Sequence, residues 1–318
     1  MVKDAKGKEV GGLEQGPFEP IAVIGVSALM PDAPDIDVFW QNILDAKVSI
    51  RKIPEHRWIG PLDHFYREGG PGNIEEGFTY ARIGAVVEDY DFDWRRWRLP
   101  PGTLPQIDLA QQWAVSVAAS AIEHAGYDGE SKDIDRLRTG VAFANALGGE
   151  NRNLSNIRIY SNHTKELAKS QGMPEENSAA FIDSVVEGAP RINEDTMPGE
   201  LANVVAGRVS NLLDLQGPNF AMDAACASSL ATLMEACRLL QMRQVDVMIA
   251  GATDRSMDAP TFAKFSAIGA LSATHSTPFD AGANGFVMGE GAGAFVLKRL
   301  SDAIRDGDEV HAVIRGVG

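Results

Sequence analysis

The chain has 318 residues, with 29 Lys and Arg against 44 Asp and Glu, a formal net charge of −15. That length allows one large domain or two smaller ones with a well-buried core. The acidic balance excludes nucleic acid or an anionic membrane surface as the main partner, because both call for a basic face.

Residues 1–18 read as a flexible, solvated leader without the apolar core of a signal peptide, ahead of one structured unit over 19–318. Residues 20–26 form a short β-branched run ending beyond Gly25, the pattern of a strand buried on both faces. Pro31 and Pro34 break the chain, and Asp35 caps a helix carrying Val38, Phe39, Trp40 and Ile43. Residues 51–105 are rich in Pro, Gly, Trp and Arg without periodicity and predict a long irregular excursion. Residues 107–125 predict a helix stopped by Gly126, and 139–146 a strand. Residues 150–195 are polar and read as an insertion with helices of its own. A helix over 201–215 ends before Gly217 and Pro218.

The next segment is the most informative. Residues 220–222 are strand-like, 223–229 form a turn of small residues, and 230–241 are an amphipathic helix with Leu230, Leu233, Met234, Cys237 and Leu240 on one stripe. A second buried strand follows over 245–251, which makes a βαβ unit with a parallel pair. Residues 285–293 are Gly-rich, 294–297 and 310–314 are strands, and 301–305 are helical. Strands alternating with helices define an α/β domain with a largely parallel sheet. No apolar run is long enough to span a bilayer.

The two cysteines, Cys226 and Cys237, are too few for a disulfide framework, so a reducing, cytoplasmic setting is expected. With the 6 scattered histidines they show no metal-ligand spacing. Cys226 sits where a strand becomes a helix, and two roles are open for it. The turn would hold the sulfur out from the sheet, among neighbours small enough for a substrate to approach. The following helix would aim free N–H groups and its positive dipole end at the sulfur, favouring thiolate, and the Cys226 N–H would serve as oxyanion donor. Alternatively, Cys226 is a small buried packing residue. Cys237, mid-helix on the apolar stripe, reads as core. Asp223 reads as a turn anchor, since an anion close by would oppose thiolate formation. The Gly-rich stretch lacks a Walker lysine and dinucleotide spacing. Its glycines suit close backbone approach to a site.

Residues 217–230, Gly-Pro-Asn-Phe-Ala-Met-Asp-Ala-Ala-Cys-Ala-Ser-Ser-Leu, resemble the active-site segment of β-ketoacyl synthases, the thiolase-fold condensing enzymes of fatty-acid and polyketide assembly. Residues 20–25 resemble the family's opening strand, 205–211 the helix before the active site, and 279–293 its Gly-rich loop. Ala224-Ala225 and the Met197-Pro198-Gly199 lead-in are most similar to synthases of iterative multienzymes such as polyunsaturated fatty acid synthases. The resemblance implies a thiolase-like fold, a largely parallel mixed sheet with helices on both faces, present as the N-terminal half plus insertions with the C-terminal half absent. It implies that Cys226 takes an acyl group from the phosphopantetheine of an acyl carrier protein. Decarboxylative condensation with a malonyl-type extender follows, with no cofactor bound directly. Implied partners are the carrier, other domains of a multienzyme, and a second copy, because the family dimerises through the strand matching Asn219–Met222. A condensation-inactive dimerisation or scaffold unit is the alternative.

The family stabilises its enolate with two histidines downstream of the Gly-rich loop, and only His311 follows that loop here. His275 is the best local substitute, although it and His56, His64, His124 and His163 read more simply as polar loop or helix residues. Ala225 and Asn284 stand where many relatives have Thr and Asp. Arg95, Arg96 and Arg98, interleaved with Trp94 and Trp97, offer a docking patch for an acidic carrier, with Asp89, Asp91 and Asp93 as local salt-bridge partners that favour a structural role.

Overall fold

The computed structural model describes residues 19–127, 129–130 and 132–317, so the leader over 1–18 lies outside the described residues. In chain order the elements are β1 (Ile21–Leu29), α1 (Ile36–Leu44), β2 (Arg51–Lys52), α2 (Leu62–Phe65), β3 (Ile83–Gly84), α3 (Leu109–His124), β4 (Thr139–Ala144), α4 (Asn151–Ser170), α5 (Glu175–Val186), α6 (Thr196–Glu200) and α7 (Val204–Leu212). Then come β5 (Asn219–Met222), α8 (Ser228–Gln241), β6 (Val247–Asp254), α9 (Ala259–Ala267), β7 (Gly291–Arg299), α10 (Leu300–Asp306) and β8 (Ala312–Ile314).

Six strands form the main sheet in the order β5-β4-β6-β7-β1-β8. β5 and β6 both pair parallel to β4, while β7 pairs antiparallel to β6 and to β1, and β8 antiparallel to β1. Thus β1, β4, β5 and β6 run one way and β7 and β8 the other. The sheet is mixed, as expected, but β7 set between β6 and β1 makes three of the five pairings antiparallel. The βαβ unit around Cys226 is also modified: its two strands are co-directional, yet β4 lies between them. Strand–helix alternation reports direction, whereas neighbour order depends on where distant segments insert.

Helices cover both faces. The alternation of side chains along β1 shows the division: Ala22 and Ile24 join Trp113, Ala114 and Ala118 of α3, while Ile21 and Val23 join Cys237 and Leu240 of α8. This two-sided burial is why the strand reads as a continuous apolar run. Gly25 is required at the α3 crossing, since a Cβ there would lie 2.3 Å from the Ala121 carbonyl oxygen. Asp35 caps α1 as its position implies, accepting from the Val38 N–H at 2.8 Å.

Several boundaries move. The helix expected over 201–215 is the shorter α7, Val204–Leu212, and a separate short α6, Thr196–Glu200, precedes it. β7 begins at Gly291, inside the stretch read as a Gly-rich loop, because tertiary pairing overrides glycine's poor strand propensity. The excursion over 51–105 carries the two-stranded β2–β3 sheet. It also packs a core of its own, in which Trp58, Leu62 and Tyr80 meet Met257 and Phe262.

Candidate active site

The turn from β5 into α8 is built by short-range hydrogen bonds. Asp223 Oδ1 accepts from the Ala225 N–H at 2.9 Å, so Asp223 is the turn anchor that its position suggests. Ser228 Oγ accepts from the Ala224 N–H at 2.8 Å and donates to the Ala225 carbonyl at 2.5 Å. Ala225 is held at φ +51°, the left-handed region that costs an L-residue energy. Cys226 follows directly and is exposed, which removes the buried-packing alternative. Cys237 is 1% exposed in the core beneath α8, and burial pushes its thiol up to about 11.

Cys226 opens on a cleft of about 730 Å³ at one end of the sheet. Its walls come from the carboxyl ends of β1 (Ser27, Ala28), β4 (Ala144) and β6 (Thr253, Asp254), and from residues 289–295 at the start of β7. Ligands of open α/β sheets bind beyond the carboxyl ends of co-directional strands, and this is that edge. The second half of the Gly-rich stretch therefore does approach Cys226 with its backbone. Gly291, at φ +155°, would place a Cβ 2.8 Å from the Leu29 carbonyl oxygen.

Beside the cleft lies a buried charge cluster. Arg57 Nη2 donates to Glu290 at 2.6 Å and to Glu150 at 3.0 Å, and Arg255 pairs with the other Glu150 oxygen at 3.0 Å. Asp108, Asp254 and Asp258 complete it, so five carboxylates face two guanidiniums. Burial with so few cations disfavours the charged form of a carboxylate. Burial raises Asp108, Asp254 and Glu290, and pushes Glu150 up to about 7 against the pull of Arg255 and Arg57. The folded state then binds more protons than the unfolded chain between pH 4.5, the ordinary glutamate value, and about 7. Stability from Glu150 is complete below 4.5 and is lost as pH rises to 7, on the order of 1–3 kcal/mol. Denaturation midpoints at pH 5 and pH 7.5 check this. The wild type should lose stability across the interval and Glu150→Gln should lose less.

No histidine lines the cleft. His275 is exposed in the loop after α9, its N–H donating to Ser272 Oγ at 3.3 Å. His311 precedes β8 rather than lying in it, donates its N–H to the Val23 carbonyl at 3.0 Å and stacks obliquely on His124. His56 borders a second cleft beside Arg57, and His64 and His163 are exposed on helices. Asn284 is exposed and is not part of the Cys226 cleft. Arg95, Arg96 and Arg98 are exposed and also lie outside that cleft. The Arg95 guanidinium rests on Trp94 and that of Arg96 on Trp97; the Arg96 side chain pairs with Glu123 at 2.5 Å, while Asp93 accepts only from the Arg96 backbone N–H, at 3.2 Å. Among the described residues no group of three or more His, Cys, Asp or Glu is placed to hold a metal ion, and no helix is long and apolar enough to cross a membrane. Arg57, Glu150, Arg255 and Glu290 escaped the reading of the sequence. Glu290 stood in a motif read only for its glycines, Arg57 lies in the aperiodic excursion, Glu150 opens the polar insertion, and Arg255 lies just past the strand read over 245–251.

A largely co-directional sheet with an exposed cysteine on a constrained strand-to-helix turn defines a thiol-bearing α/β domain. Its Gly-rich wall narrows that class. Residues 18–303 match the family described as beta-ketoacyl synthase, N-terminal domain, and the chain belongs to that family. It is 31% identical to a polyunsaturated fatty acid synthase polypeptide of Thraustochytrium sp. over 93% of this chain and 10% of that protein. It is 33% identical to a phenolphthiocerol/phthiocerol polyketide synthase polypeptide of Mycobacterium tuberculosis over 94% of this chain and 17% of that protein. Among solved structures, the PfaC keto synthase–chain length factor superposes with a TM-score of 0.79 at 28% identity, covering 94% of this chain and 31% of that one. The oxazolomycin ketosynthase domain OzmH KS7 of Streptomyces albus superposes at 0.74 with 27% identity, covering 93% and 45%. The fold is thus the thiolase-like fold of ketosynthases, and the chain spans less than half the length of each of these relatives.

Proposed function

We propose that this chain is the nucleophile-bearing part of a β-ketoacyl synthase acting in fatty-acid or polyketide assembly. The observation that carries the reading is the exposure of Cys226 on the constrained β5–α8 turn, opening on the Gly-lined cleft. Cys226 accepts an acyl group from the phosphopantetheine thioester of an acyl carrier protein, with its own N–H as an oxyanion donor. The resulting thioester is then attacked by the carbanion of a decarboxylated malonyl-type extender. None of the 6 histidines lines the cleft, so no enolate-stabilising role is assigned to a histidine of this cleft. Other domains of a multienzyme are the natural partners, and two free thiols suit a reducing cytoplasm. Arg95, Arg96 and Arg98 remain the carrier-docking proposal: they are exposed on an acidic chain, although stacking gives Arg95 and Arg96, and the Glu123 pair gives Arg96, structural work.

A second reading, a dimerisation or scaffold unit, draws on β5. It is the outermost strand of the sheet and has a neighbour on one side only among the described residues. Limited alkylation of folded protein at pH 8, mapped by mass spectrometry, tests the first reading. Cys237, with its thiol pushed up to about 11, holds a thiolate fraction of about one in a thousand at that pH. Cys226 should be modified at least about tenfold faster, and an acyl thioester donor should load the same residue. Equal labelling of both cysteines would sink the reading. A folded dimer that never acylates would favour the scaffold.

A further inference from the structure

Glu290 has no exposed side-chain surface, yet it sits in the Gly-Glu-Gly stretch that lines the Cys226 cleft. Both of its oxygens are taken: Oε2 accepts from Arg57 at 2.6 Å and Oε1 from the Val87 N–H at 2.8 Å. Its own N–H donates to the Ala85 carbonyl at 3.0 Å, and the Ala85 N–H donates to the Met288 carbonyl at 3.0 Å. The Gly-rich wall is thereby laced to the segment after β3. Arg57 continues the connection through Glu150 to Arg255, which directly follows Asp254, the last residue of β6 and part of the adjoining wall. One buried chain of charges therefore ties together two walls of the cleft that are far apart in sequence. Such a chain is an expensive way to gain stability, because apolar side chains of similar volume pack at least as well. Its geometry is specific, since one guanidinium nitrogen, Arg57 Nη2, is shared between Glu290 and Glu150 and so fixes the two carboxylates relative to each other.

We infer that Glu290, held by Arg57, is a positioning residue that sets the Gly-rich wall against Cys226 for acyl transfer. The inference rests on the acyl-transfer reading. In that reaction the Cys226 S–C bond forms and the donor C–S bond breaks. The proton of the Cys226 thiol ends on the departing thiolate. The path crosses a tetrahedral oxyanion, so the rate depends on how the wall seats the donor carbonyl. Alkylation by iodoacetamide displaces iodide in one step and requires only that the sulfur be reachable. A positioning role therefore separates the two reactions, and a merely structural role does not.

The test compares wild type, Glu290→Gln and Arg57→Lys in the full chain. An N-acetylcysteamine acyl thioester and iodoacetamide are the two probes, with modification at Cys226 followed by mass spectrometry. Glu290→Gln keeps the shape and loses the charge. It should acylate about tenfold more slowly or worse, while alkylation stays within about twofold. Arg57→Lys keeps the charge but shortens the reach of the one nitrogen shared between Glu290 and Glu150, and should show the same split with a smaller ratio. It decides the matter if Glu290→Gln does not fold. Unchanged acylation in a folded variant, or a parallel fall in both reactions, overturns the inference while leaving the acyl-transfer reading intact. A wild type that alkylates at Cys226 but never acylates overturns both.

Discussion

Cys226→Ala is expected to abolish acylation of the chain by a thioester donor, to roughly a thousandth of the wild-type rate or less. Cys237→Ala should leave acylation within about twofold. The contrast follows from position. Cys226 is exposed beside a cleft of about 730 Å³, on a turn whose backbone is held by Asp223 and Ser228. Cys237 is 1% exposed and packs under α8 against Val245 and Met248. Removing its sulfur leaves a small cavity worth about 1 kcal/mol, visible in stability and not in rate. Mass spectrometry of the two variants after incubation with donor separates the cases. Acylation that persists in Cys226→Ala would remove Cys226 from the reaction.

Arg299→Met is expected to destabilise the domain by about 3–5 kcal/mol, the cost of breaking a buried ion pair and leaving its partners unpaired. The Arg299 side chain is 3% exposed at the end of β7. It donates to the Leu240 and Val245 carbonyls at 2.9 Å and 2.7 Å, to Asp302 at 2.5 Å, and to Asp246. It thus joins the end of α8, the approach to β6 and α10 through one planar group. Methionine preserves much of the volume but none of the five donors. Arg138, followed by Arg299, holds the Asp246 carboxyl down to about 2, so that contribution is present above the ordinary value of 3.8 and is lost as pH falls toward 2. The variant should therefore also lose stability at a higher pH on the acid side. Urea denaturation at pH 7 and at pH 3 to 4 measures both effects. A loss below about 1 kcal/mol at pH 7 would show that the cluster relaxes around the missing cation.

The turn carrying Cys226 was legible because its causes are local. Small residues, an Asp two positions before the residue it anchors, and the onset of a helix are all encoded within a dozen positions. The Asp35 cap and the two-sided burial of β1 were legible for the same reason, since each is a pattern of near neighbours. The family resemblance added a role for Cys226 and an expectation for the Gly-rich stretch, which does line the cleft.

Other features had no local signature. The separate α6 ahead of α7, the start of β7 inside the glycines and the insertion of β4 between β5 and β6 depend on which distant segments pack together. Arg57, Glu150, Arg255 and Glu290 are separated by as many as 233 positions, the span from Arg57 to Glu290. Taken singly, each is an ordinary charged residue in a stretch that looks irregular. The sequence by itself determined the α/β class, the acidic character and the cysteine's place on a strand-to-helix turn, because propensity, capping and turn chemistry act between neighbours. Only the tertiary structure decided the strand order and the meeting of two arginines with five carboxylates beside the cleft. Those depend on the burial of the whole chain, where a charge far away in sequence becomes the nearest partner.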